Sequence, residues 1–118
     1  MNTTSIKIEE GRVTIRLKAG NVWLTQHEIA DIFDVFISAI NSNIRSILKS
    51  EILQEETVCR RKDKGNGSIL TLYNLEMITA LAFRLKSRQA QCFREWITSQ
   101  ALNPVILWKI PGMDAMLN

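Results

Sequence analysis

The chain has 118 residues, enough for one domain with a single core and short for two. Apolar residues make up 46% and charged residues 23%, which excludes a disordered composition, and no apolar run approaches the roughly 18 residues a membrane-spanning helix needs. The net charge of +3 is too small to argue for nucleic acid by itself, so the placement of charge has to carry any such reading.

The opening "MNTTSIKIEEG" lacks the basic start and apolar middle of a signal peptide. Cys59 and Cys92 stand far apart without a C-x-x-C spacing, so free thiols in a reducing, cytoplasmic compartment are expected. "SIKIEEGRVTIRLKAGNVWLT" alternates apolar and polar residues through Val13, Ile15 and Leu17, which predicts two or three short strands turning at Glu10-Gly11 and at Gly20-Asn21. Thr25 then precedes Glu28 by three residues. That is a capping-box spacing, with Leu24 and Ile29 at the hydrophobic-staple positions, and it predicts a helix from Gln26 to about Phe33.

Asp34 occupies the following turn, where it tolerates a left-handed backbone better than most residues. A second helix is expected over 36–50, with Phe36, Ile40, Ile44, Ile47 and Leu48 as its core stripe; Ile37 alone falls outside that stripe. Its opposite face carries Ser38, Asn41, Ser42, Arg45 and Lys49. Beyond it, Thr57 to Cys59 and Ser68 to Tyr73 read as strands around a basic, Gly-rich tip at Arg60 to Gly67, which suggests a hairpin. A helix-turn-helix followed by a basic hairpin is a winged arrangement.

Asn74 is placed to cap "LEMITALAFRLK", which is apolar on most sides and therefore expected to be the central helix. "SRQAQCFREWITSQAL" supplies a last helix with Ala90, Phe93, Ile97 and Ala101 as its stripe, ended near Pro104. Trp23 and Trp96, each among apolar neighbours, read as core or core edge. Residues 103–118, "NPVILWKIPGMDAMLN", have no readable period.

Catalysis finds no support in the residues. There is one histidine, His27, in a first helical turn where a solvated or capping role suffices, and there is no P-loop, G-x-S-x-G or dinucleotide fingerprint. Two distant cysteines and one histidine do not make a metal site, so neither metal nor cofactor is expected. Charge is more informative: from Arg60 to Arg94 there are eight basic residues against only Asp63 and Glu76. Four of the eight, Arg60, Arg61, Lys62 and Lys64, fall in the expected wing.

"VWLTQHEIADIF", "LYNLEMITALAFRLKS" and "QCFREWIT" together resemble the N-terminal domain of the bacterial RhuM family, a virulence-associated family that is itself similar to the Bro-N domains of phage antirepressors and large DNA viruses. The resemblance runs from about Val22 to Gln100. It implies a DNA-binding or regulatory module of mobile-element type and carries over no catalytic residue. Two features depart from the family: the second helix opens on Phe36-Ile37 where similar chains have polar residues, and residues 103–118 diverge where similar chains continue, so the tail reads as a truncation.

The expected architecture is therefore α+β, a winged helix-turn-helix-like core with short N-terminal β-strands and C-terminal helices, over residues 1–102, followed by the divergent tail 103–118. The expected function is transcription regulation by duplex-DNA binding. Ser38, Asn41, Ser42, Arg45 and Lys49 would enter the groove, with Asn41 suited to adenine and Arg45 to guanine or phosphate. Arg60, Arg61, Lys62 and Lys64 would hold phosphates. The rival is a protein-interaction or oligomerisation module of antirepressor kind, including a homodimer formed through Ile37 or the C-terminal tail.

Overall fold

The computed structural model describes residues 5–102; the tail, with Pro104 and its apolar residues, lies outside the described residues. The first two strands, β1 (Ile6–Glu9) and β2 (Arg12–Ile15), form an antiparallel hairpin. Ile6 and Ile8 point to the core while Lys7 and Glu9 face water, the two-residue alternation of a half-buried strand. Glu10 and Gly11 turn it, both at positive φ (50° and 78°), as a two-residue hairpin loop requires.

The second turn falls one residue earlier than the sequence suggests. Ala19 and Gly20 take the positive φ values, 53° and 80°, between the bridged Lys18 and Asn21. Asn21 is instead a clamp: its side-chain oxygen accepts from the amides of Val22 (2.7 Å) and Leu75 (3.2 Å). Leu17, expected to continue the strand inward, is 56% exposed because β2 has already ended at Ile15.

Strand β3 (Trp23–Leu24) runs directly into helix α1 (Gln26–Phe33). The capping box forms as its spacing predicts, with Thr25 Oγ1 accepting from the Glu28 amide (3.2 Å) and the Glu28 carboxylate accepting from the Thr25 amide (2.9 Å). At the other end Asp34 adopts the left-handed conformation (φ 54°), and the Val35 amide donates to the Ala30 carbonyl at 3.0 Å, a Schellman-type closure. Helix α2 (Ile37–Lys49) follows after a three-residue turn.

Ile40, Ile44 and Ile47 of α2 are buried and Leu48 half-buried, but Phe36 is not part of that stripe; it is 85% exposed. The reason is local. Phe36 is the N-cap, with an extended backbone (φ −72°, ψ 146°), so helical spacing does not reach it and its side chain leaves along a different direction.

A short helix α3 (Glu55–Val58) takes up Thr57 and Val58, which the sequence assigns to a strand, and sends Val58 into the core. Strands β4 (Cys59–Asp63) and β5 (Ile69–Asn74) then form the hairpin. The three-stranded sheet is antiparallel in the order β3-β5-β4, so the strand before α1 pairs with the return strand after α2. The helix pair is thereby fastened to one sheet at both ends.

Helix α4 (Leu75–Ala82) is the central helix, with Met77, Ile78, Leu81 and Ala82 buried. Asn74 caps it as expected, accepting from the Met77 amide (3.2 Å), and also donates from Nδ2 to the Thr57 carbonyl (3.1 Å), which is why this buried amide is tolerated. The helix stops at Ala82, short of the expected Lys86. One nitrogen of Arg94, Nη1, donates to the carbonyls of Ala82 and Leu85, both at 2.7 Å, and so takes over the bonds that a longer helix would have made itself.

Helix α5 (Arg88–Leu102) buries Ala90 and Phe93 and half-buries Ile97; Ala101 is exposed, so its stripe ends a turn early. Phe93 meets Phe33 edge-on at 5.6 Å, and Trp96 lies half-buried beside it at 5.9 Å. Gln89 Nε2 donates to the Ile8 carbonyl (3.0 Å), tying the N-terminal hairpin to α5. Among the described residues no helix is long and apolar enough to cross a membrane.

Candidate nucleic-acid interface

Burial of Ile40, Ile44 and Ile47 fixes the rotation of α2, and the same rotation presents Ser38, Asn41, Ser42, Arg45 and Lys49 outward; all five are exposed. The structure brings four of them together. Ser38, Asn41, Ser42 and Arg45 line an open depression of about 610 Å³ with Ile37 and Gln26, and Lys49 lies one turn further along the same face. Asn43 lies off this face, about 100° round the helix from Ser42, with its Nδ2 donating to the Ala39 carbonyl at 2.8 Å.

Gln26 had no signal in the sequence. It joins the depression because α1 starts where β3 delivers it, and its Nε2 donates to the Tyr73 hydroxyl at 3.2 Å. Tyr73 is paired across the sheet with Cys59, the first residue of β4. The polar face of α2 and the base of the hairpin are therefore linked through a single side chain.

The four wing cations do not sit at the tip together. Arg60, Arg61 and Lys62 belong to β4, and the tip is Lys64 to Ser68, shaped by Gly65 and Gly67 at positive φ and by the Asp63 carboxylate accepting from the Gly65 amide at 2.8 Å. Alternation along the strand separates them further. Arg60 pairs with Leu72 and Lys62 with Leu70, on the sheet face that Trp23 shares through its partner Asn74; Arg61 falls on the opposite face, with Cys59 and Tyr73.

Each cation has a different environment. The Arg60 guanidinium lies 4.2 Å from the centre of the Trp23 ring, a stacked cation–π contact that sequence spacing does not disclose. Trp23 is thus a half-buried platform for an arginine at the core edge. Arg61 Nη2 is 3.5 Å from Glu55 Oε2, with both side chains more than half exposed, a pair that contributes little. Lys62 and Lys64 are exposed and form no ion pair among the described residues.

The long basic stretch also loses members to structure. Arg94 holds the end of α4, and Arg84 Nη1 donates to the Ser46 hydroxyl at 2.7 Å. Cys59 is half-buried where β4 leaves α3; burial, with Glu55 adding to it and Arg61 opposing, raises its thiol pKa above the ordinary value. It is a neutral packing thiol at pH 7. His27 is exposed in the first turn of α1, and no cluster of metal-ligating side chains occurs among the described residues.

Comparison of the chain with protein-family models, with curated proteins and with solved structures found no match to any of them.

Proposed function

We propose that this chain is a duplex-DNA-binding regulatory module of RhuM or Bro-N kind, built as a winged helix-turn-helix and acting in the cytoplasm. The observation that carries the reading is the outward face of α2: short polar side chains and one arginine gathered on a helix whose other side is anchored in the core. An α-helix fits the major groove of B-DNA, and short side chains let its backbone approach the base edges. Asn41 offers an amide for bidentate pairing with adenine and Arg45 a guanidinium for guanine or phosphate.

Positioning falls to the hairpin. At about 3.4 Å per residue, Arg61 and Lys64 lie roughly 7 and 17 Å from the base where Tyr73 meets Gln26, a reach that suits the phosphates flanking a groove. Such contacts are independent of sequence, and they make binding depend on salt.

The test is a fluorescence-anisotropy titration of the full chain with random duplex DNA at low and near-physiological salt. A dissociation constant on the order of micromolar to 100 micromolar near physiological salt, tightening steeply as salt falls, is expected. Absence of binding at low salt would remove the DNA reading. A second reading, a protein-interaction module of antirepressor kind, draws on the exposed Phe36 and Ile52, 85% and 79% accessible; an apolar contact of that sort would hardly respond to salt.

A further inference from the structure

The tip of the β4–β5 hairpin holds an Asn-Gly pair, Asn66 and Gly67, both exposed. The turn requires the glycine, which sits at φ 88°. Its missing Cβ also opens its amide nitrogen to the side chain just before it. The Asn66 side-chain oxygen is already held, accepting from the Ser68 amide at 3.1 Å and from the Ser68 hydroxyl. The two nitrogens are not: among the described residues neither Asn66 Nδ2 nor the Gly67 amide donates a hydrogen bond.

We propose that Asn66 is a site of intramolecular deamidation, promoted by Ser68, that exchanges a neutral amide for a carboxylate at the hairpin tip beside Lys64. The Gly67 amide nitrogen gives its proton to solvent base and attacks Asn66 Cγ. The bond from Cγ to Nδ2 breaks, ammonia leaves with a proton from solvent, and a five-membered succinimide remains. Water then adds to either of its two carbonyls, and ring opening gives an aspartyl or an isoaspartyl residue. Negative charge gathers on Asn66 Oδ1 as the ring closes, and both Ser68 donors are placed on that oxygen beforehand.

The other asparagines of the described residues are closed to this reaction. Asn41 and Asn43 lie inside α2, where the amide that follows each is bonded along the helix. Asn21 precedes Val22, a β-branched residue buried in the core. The amide after Asn74, that of Leu75, donates to Asn21 at 3.2 Å, and Asn74 Nδ2 donates to the Thr57 carbonyl at 3.1 Å.

The consequence for DNA rests on the DNA-binding reading. A carboxylate at the tip offsets Lys64, so Asn66→Asp should lower the salt slope by about 0.9 unit, the share of one phosphate contact; an unchanged slope in a chain that binds DNA would remove that consequence. Deamidation itself is read without DNA, so its failure and the failure of DNA binding are separate results.

The full chain is held folded for some days at mildly alkaline pH, digested and mapped by mass spectrometry. Aspartyl and isoaspartyl products should accumulate at position 66, while Asn21, Asn41, Asn43 and Asn74 stay intact. Ser68→Ala removes the hydroxyl donor from an exposed loop position and should slow the reaction a few-fold in the folded chain. In urea, where the loop is lost, parent and variant should react alike. A folded parent in which Asn66 stays intact, or reacts no faster than the other four asparagines, or reacts at a rate that Ser68→Ala does not change, overturns the proposal.

Discussion

The hairpin offers two double substitutions that remove the same charge, one from a sheet face and the tip and the other from the opposite face. Arg61→Ala with Lys64→Ala strips the face that meets α1 through Tyr73 and Gln26, together with the tip; Arg60→Ala with Lys62→Ala strips the face shared with Trp23. If the hairpin holds DNA with the side that borders α2, the first pair contributes two phosphate contacts and the salt slope should fall by about 1.8 units, near 0.9 per contact. Between 50 and 200 mM salt the parent would then lose roughly tenfold more affinity than the variant. The second pair should change the slope by less than about 0.5 unit, since Arg60 is held over the indole and Lys62 shares its face. It should instead lower stability by about 0.5–1 kcal/mol through the lost cation–π contact. Anisotropy titrations at four or five salt concentrations give the slopes directly, and urea unfolding gives the stability. Equal slope changes for the two variants would mean that only net charge matters and would refute the assignment of a DNA-facing side.

Two further outcomes follow from single side chains. Arg94→Ala leaves the Ala82 and Leu85 carbonyls without their shared donor, so unfolding free energy should drop by about 2–3 kcal/mol and the thermal midpoint by roughly 10–20 °C, read by circular dichroism; a midpoint within a degree or two of the parent would show that water replaces the guanidinium at no cost. Asn41→Ala should cost about 1–3 kcal/mol on a preferred duplex selected from a random pool and little on random DNA, and a variant that keeps full selectivity would exclude α2 as the base reader.

Local chemistry was legible in the residues wherever the determinant lay within a few positions. The Thr25–Glu28 capping box, the Asn74 cap, the left-handed Asp34 and the Glu10-Gly11 turn all form between near neighbours, and the helical period of Ile40, Ile44 and Ile47 was enough to orient α2 and so to name its outward face. Most of what failed was decided at a distance, with Phe36 the local exception. Helical spacing could not say that Phe36 stands just outside the helix it precedes, because the extended backbone at the cap is set by where the Asp34 turn aims the chain. Propensity could not stop α4 at Ala82, since the group that donates to its last carbonyl arrives from α5, a dozen residues on. A run of four cations looked like one patch until strand pairing sorted them by parity, stacking Arg60 on Trp23 and turning Arg61 to the other side. Sequence period therefore determined which faces are polar, and only tertiary contacts determined which of those faces come together, because the register of β5 against β3 joins residues some fifty positions apart that no local energy relates.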